Sequence, residues 1–153
     1  MTPRLNYFAT APQLMQAMLG LERTVAGSGL EHSLIELVKT RASQINGCAF
    51  CIDLHTRDAL KAGESPARLF LLDAWREAPC YSGRERAALA WTEALTLVAQ
   101  TRAPDEDYEA LRPHFTEPEI VALSLLIATI NAWNRLAIGF RSIPGEAPAS
   151  AAA

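Results

Sequence analysis

ELVKTRASQINGCAFCIDLH, residues Glu36 to His55, reads as two helical periods with a stop between them. Leu34, Ile35, Val38, Ala42 and Ile45 recur at helical spacing on one side of the first period. Asn46-Gly47 ends it, because glycine adopts the left-handed conformation of a helix C-cap without a side-chain penalty. The second period starts at Cys48 and runs to Lys61, with Gly63 beyond its end. At roughly 100° per residue, Cys48, Cys51, His55, Ala59 and Ala62 fall within about 60° of one another and form one face. Phe50 and Leu54 point away, toward a core, and Asp53, Arg57 and Lys61 complete a partly solvated side.

Outward from this pair, nearly every segment repeats with a period near 3.6, and no run of alternating β-branched residues interrupts it. The fold is predicted to be all-α, with six or seven helices and the Cys-x-x-Cys at the start of the third. The first helix spans Pro12 to Val25, with Leu14, Met18, Leu21 and Val25 as its apolar stripe. The second spans Leu30 to Ile45. Ser65-Pro66 opens a short fourth helix. Ser82-Gly83-Arg84-Glu85 has the spacing of a capping box and starts a helix reaching Gln100, and Thr116-Glu117-Pro118-Glu119 repeats the signature before a helix reaching Phe140. Pro104 to Arg112 holds a short acidic helix. Residues 1–143 thus read as one helical domain, and the Pro/Ala/Ser-rich 144–153 as a disordered tail.

The 153 residues are half hydrophobic and one fifth charged, enough for one domain with a core of its own. A net charge of −3 and the lack of a Lys/Arg block argue against a nucleic-acid or anionic-membrane surface. The N-terminus MTPRLNYFATAP has neither the apolar stretch of a signal peptide nor a lipidation motif, so a cytoplasmic location is expected. The longest apolar run, Ile120 to Ile130, has about half the length a spanning helix needs and reads as a core helix. In a reducing compartment the three cysteines are not expected to form a structural framework, so Cys48 and Cys51 point to catalysis or metal binding.

Several chemistries fit these residues. A thiol in the first turn of a helix feels the positive end of the macrodipole, and an imidazole four residues past Cys51 can share that thiol's proton. The dipole by itself favours Cys48 as the acidic thiol, and His55 favours Cys51. A zinc site is an alternative, with two thiolates and His55 as ligands and Glu36 or water as a fourth. Two small buried apolar residues are the plainest alternative. A thioredoxin-type domain lacks its flanking strands. Glu36 lies opposite the apolar arc of its helix, on a stripe with Thr40 and Ser43, and periodicity alone would leave it in solvent. His32 and His114 sit beside loop signals and read as surface residues. Trp75, Trp91 and Trp133 sit at core spacing, and Cys80 has no partner nearby in sequence.

Glu36, eleven intervening residues, Cys48-Ala49-Phe50-Cys51, three residues and His55 resemble the core motif of the AhpD-like alkylhydroperoxidase branch of the carboxymuconolactone decarboxylase family. Ser43-Gln44-Ile45-Asn46-Gly47, His55-Thr56-Arg57-Asp58-Ala59 and Asn131-Ala132-Trp133-Asn134-Arg135 fit as well, so the resemblance covers about Leu30 to Phe140. It implies a thiol-dependent peroxidase without cofactor or metal, assembled as a homo-trimer or homo-hexamer. Carried over, Cys51 attacks the hydroperoxide, Cys48 resolves the product as a disulfide, and His55 and Glu36 relay protons. The partners implied are a hydroperoxide and an unidentified dithiol electron donor. The founding hydroperoxidase has a histidine where this chain has Phe50, so its particular donor does not carry over. A disulfide reductase or redox sensor, and a non-redox ligand-binding oligomer, remain as alternative functions.

Overall fold

In the computed structural model, which describes residues 2–145, the chain forms nine α-helices and no strand among the described residues. These are α1 Tyr7–Thr10, α2 Pro12–Ala26, α3 His32–Asn46, α4 Ala49–Lys61, α5 Pro66–Leu71, α6 Gly83–Thr96, α7 Val98–Thr101, α8 Asp105–Glu109 and α9 Glu117–Phe140, with a 3₁₀ turn at Leu72–Ala74. The seven predicted helices are all present, and the Cys-x-x-Cys opens the third of them, α4. Two single turns are additional. α1 precedes Pro12 and is capped by the Asn6 side chain, and α7 is the end of the long fifth helix, split off where the backbone departs from helical geometry at Leu97. Most of the predicted tail, residues 146–153, lies outside the described residues.

α3 is the centre of the molecule, packed against α4, α6 and α9. Its Leu34, Ile35 and Val38 join Ala88 and Trp91 of α6 and Leu123, Leu126 and Ile127 of α9 in one core cluster. Leu37, on another side of the same helix, joins Ala59, Leu69, Leu72, Trp75 and Leu89 in a second. Each such leucine or isoleucine contributes about 1.5–3 kcal/mol by leaving water. With neighbours on three sides, α3 also buries Glu36, Lys39, Thr40 and Ser43. The solvated position that periodicity alone suggested for Glu36 is therefore not the observed one.

The apolar stripe expected on α2 holds at Leu21, which packs against the core, and at buried Val25, and fails at Leu14. Leu14 is 67 % exposed, and Met15 with Val25 forms the buried edge. The helix lies against α9 and α1, and that contact selects the face one residue on from Leu14. α9 is long and apolar enough, by length and composition, to cross a membrane. Here it is a core helix packed against α2, α3, α4 and α6, and it carries buried Asn131 and Asn134, whose amides are hydrogen-bonded to other helices.

Both predicted capping boxes form. At α6, Ser82 and Glu85 cap reciprocally, as do Thr116 and Glu119 at α9. The backbone N–H of Thr116, then Arg84 and the Thr116 hydroxyl, hold the Glu119 carboxyl down at about 2, below an unfolded value of about 4.3. A depressed carboxylate stabilises the fold above its unfolded pKa, and that contribution fades as pH falls through the folded value. Urea denaturation of Glu119→Gln should therefore show lower stability than the native chain at pH 6 and converge with it near pH 2. A constant difference across that range would mean that the cap acts without its charge.

Candidate active site

Two residues, Gly47 and Cys48, separate α3 from α4. Gly47 has φ 69°, a left-handed conformation that costs other L-residues about 1–2 kcal/mol. The Cys48 N–H donates to Ser43 O and the Gly47 N–H to Gln44 O, the paired bonds of a Schellman motif. Cys48 is then at once the residue past one helix and the N-cap of the next, its Sγ accepting from the Cys51 N–H at 3.3 Å. With the Cα atoms 5.4 Å apart, Cys48 and Cys51 are joined as a disulfide.

A polar clamp holds this turn against α9. Asn46 Nδ2 donates to Asn131 Oδ1 at 2.9 Å and to Asn134 Oδ1 at 2.8 Å. Asn134 Nδ2 donates to Ser43 Oγ at 3.0 Å, and Asn131 Nδ2 to Thr96 Oγ1 at 3.0 Å. A buried amide left unsatisfied costs about 1–3 kcal/mol, so a network satisfied in this way specifies one docking of α3 on α9. The Asn-Ala-Trp-Asn-Arg segment marks these residues in the sequence, and the register in which they meet Asn46 is a property of the fold.

Of the residues singled out in the sequence, Glu36, Cys51 and His55 line one cavity. His55 Nδ1 and Glu36 Oε2 are 2.9 Å apart, and both side chains are nearly buried. A buried carboxylate needs such a partner, because desolvation without one costs several kcal/mol. The bond fixes the imidazole ring and leaves its Nε2 as the nitrogen free to exchange a proton. Cys48 is 1 % exposed, outside the cavity lining, whereas Cys51 forms part of the wall. His32 is exposed at the surface, with Nδ1 3.8 Å from Glu36 Oε1. Cys80 is half-buried and unpaired in the link before α6. Among the described residues no group of three or more His, Cys, Asp or Glu side chains is arranged to hold a metal ion.

The cavity has a volume of about 260 Å³. Phe50 and Leu54, assigned to a core by their helix angle, line it, and Phe50 also packs against the buried cluster of Cys48, Cys51 and Ala137. Five further contributors, Glu22, Lys39, Trp133, Tyr7 and Phe8, were not legible as site residues. Glu22 accepts from the Lys39 ammonium and, at 3.1 Å, from Trp133 Nε1. Trp133, expected as plain core, lines the same space, and Tyr7 and Phe8 of α1 close one side of it.

A helical hairpin with a cysteine pair at its turn and a Glu–His pair beside one sulfur defines a class. The model of the carboxymuconolactone decarboxylase family matches residues 12–94, from α2 into α6. The chain is 45 % identical over 138 residues to the uncharacterized protein YdfG of Bacillus subtilis, covering 90 % of this chain and 94 % of that one. It superposes with a TM-score of 0.92 and 46 % identity on the crystal structure of ATU0492 from Agrobacterium tumefaciens, over 95 % and 100 % of the two chains. That protein is of unknown function and provisionally assigned as an antioxidant defence protein AhpD. An uncharacterized peroxidase-related protein from Silicibacter shares the fold at 22 % identity and a TM-score of 0.81, over 95 % and 78 %. The chain belongs to the carboxymuconolactone decarboxylase family, in its AhpD-like branch.

Proposed function

We propose that the protein is a thiol-dependent hydroperoxidase with an antioxidant role, in which Cys51 is the attacking thiol, Cys48 the resolving thiol, and Glu36 with His55 the proton relay. The observation that carries this reading is the Glu36–His55 hydrogen bond in the wall of the cavity that Cys51 also lines. In the reduced protein His55 takes the Cys51 proton and Glu36 stabilises the imidazolium that results. The thiolate attacks the outer oxygen of ROOH. The O–O bond breaks, the departing alkoxide takes the proton back from His55 as ROH, and Cys51 is left as sulfenic acid. The Cys48 thiol displaces its hydroxyl as water, forming the disulfide. An external dithiol returns both sulfurs to thiols, so one ROOH and one dithiol give ROH, water and one disulfide per cycle.

The test is turnover. Reduced enzyme at a few per cent of the peroxide concentration, supplied with a dithiol, should consume many equivalents. Consumption that stops at one equivalent with every dithiol tried would favour a redox sensor, and no consumption would favour a ligand-binding role. The need for a dithiol supply accords with a reducing, cytoplasmic setting. The reading includes a homo-trimer or homo-hexamer, supported by apolar side chains left exposed on α5 and α9, among them Phe70, Val121 and Leu125. Light scattering at micromolar concentration should show that assembly, and a single chain would remove this part of the reading.

A further inference from the structure

The cavity lined by Cys51 is also lined by aromatic rings that come from outside residues 12–94, the stretch the family model matches. The rings of Phe8 and Trp133 are stacked, 13° from parallel with centroids 6.1 Å apart. Tyr7 packs on Phe140 at 5.3 Å, and the segment before it is tied to the end of α9 by Arg4, whose N–H donates to Phe140 O at 3.0 Å and whose Nη1 donates to Gly139 O at 3.0 Å. The Trp133 indole is itself fixed through Nε1 to Glu22. Phe50 and Leu54 line the same cavity. Two rings this close leave no slot between them, so they act as a wall on which a third ring stacks, offset or edge-on.

Size and charge narrow the occupant further. A dry apolar cavity of about 150 Å³ holds benzene, so about 260 Å³ holds a substituted benzene ring and a short arm reaching Cys51. The charged groups lining it are Glu22, Glu36, Asp58, Lys39 and His55. Lys39 is engaged by Glu22, His55 by Glu36, and Asp58 by Lys61 at 3.1 Å. Among the described lining residues carboxylates outnumber ammonium groups, and an anion entering here would meet no uncommitted cation.

Resting on the peroxidase reading, we propose that this cavity selects uncharged arylalkyl hydroperoxides, with Phe8 and Trp133 as the specificity-determining residues and the lack of an uncommitted cation in the lining disfavouring carboxylate-bearing substrates. α1 is thereby a substrate-recognition element. It contributes no buried residue to the core, which frees its aromatic side chains for the cavity.

Four peroxides test this on the intact reduced protein with one fixed dithiol: cumene hydroperoxide, its para-carboxylate, tert-butyl hydroperoxide and hydrogen peroxide. Cumene hydroperoxide should exceed both its carboxylate and tert-butyl hydroperoxide in kcat/KM by about tenfold or more, the scale on which apolar pockets discriminate. In Phe8→Ala the cumene to tert-butyl ratio should fall toward one, mainly through a raised KM for cumene hydroperoxide. Because α1 has no fully buried residue, this variant should keep the native helical circular dichroism and a cooperative melting curve. Equal kcat/KM for the aryl, alkyl and carboxylate peroxides, or an unchanged ratio in Phe8→Ala, would overturn the inference and leave the peroxidase reading standing. Failure to consume any peroxide, hydrogen peroxide included, would overturn both.

Discussion

Cys51→Ser is expected to bring peroxide consumption to the uncatalysed background, whereas Cys48→Ser should consume one equivalent and stop with a sulfenic acid on Cys51. The difference follows from where the two sulfurs sit. Cys51 lines the cavity beside His55, and Cys48 lies behind it as the N-cap of α4. A sulfenic acid without a neighbouring thiol persists long enough to be trapped by a dimedone-type reagent and read by mass spectrometry. The reverse pattern, one equivalent consumed by Cys51→Ser and none by Cys48→Ser, would hand the attacking role to Cys48 and mean that the helix dipole outweighs the imidazole. Counting free thiols reports on Cys80. Peroxide should remove two thiols from the native chain and leave Cys80 titratable.

Glu36→Gln is expected to slow peroxide reduction by roughly 10²-fold or more, the scale of general-base catalysis, with little change in the fold. The amide fits the space of the carboxylate and can still hydrogen-bond His55 Nδ1, so the helices stay docked while the charge that stabilises an imidazolium is gone. His55→Gln should produce a loss of the same order. The double variant should be scarcely slower than either single one, because the two residues serve one proton path. Multiplying losses would show that they act separately. The Cys51 thiol pKa, followed by thiolate absorbance, should rise in both variants. A purely structural defect would instead lower the melting temperature and leave that pKa in place.

The clearest agreement between sequence and structure is at the helix ends. Ser82 with Glu85, Thr116 with Glu119, Pro66 after Ser65 and Gly47 after Asn46 each mark a boundary within a residue or two of where it falls. Capping is local chemistry. An orphan backbone N–H or a left-handed φ is satisfied by a residue within three or four positions, so the information lies in adjacent letters. The cysteine spacing is local in the same sense, since a two-residue gap on the first helical turn suffices to bring both sulfurs together.

Glu36 shows where that locality ends. Its helix has an apolar arc on the other side, and periodicity identifies one buried face without revealing how many neighbours the helix has. α3 has three, so its polar side is buried as well, and Glu36 meets His55, nineteen residues later, across the packed hairpin. Leu14 errs in the opposite direction. Leucine is as apolar as methionine, and only the packing of α2 decides that Met15 and not Leu14 turns inward.

Sequence by itself determined an all-helical chain, the positions of its caps, and the turn on which Cys48 and Cys51 sit, because each depends on interactions spanning a few residues. The tertiary structure alone decided that Glu36 is buried against His55, that Asn46 is clamped by Asn131 and Asn134, and that Phe8, Trp133 and the Glu22–Lys39 pair share a cavity with Cys51. These pairings join residues 17 or more positions apart, and burial raises the value of satisfying each polar group, so they are fixed by which helices dock and in what register.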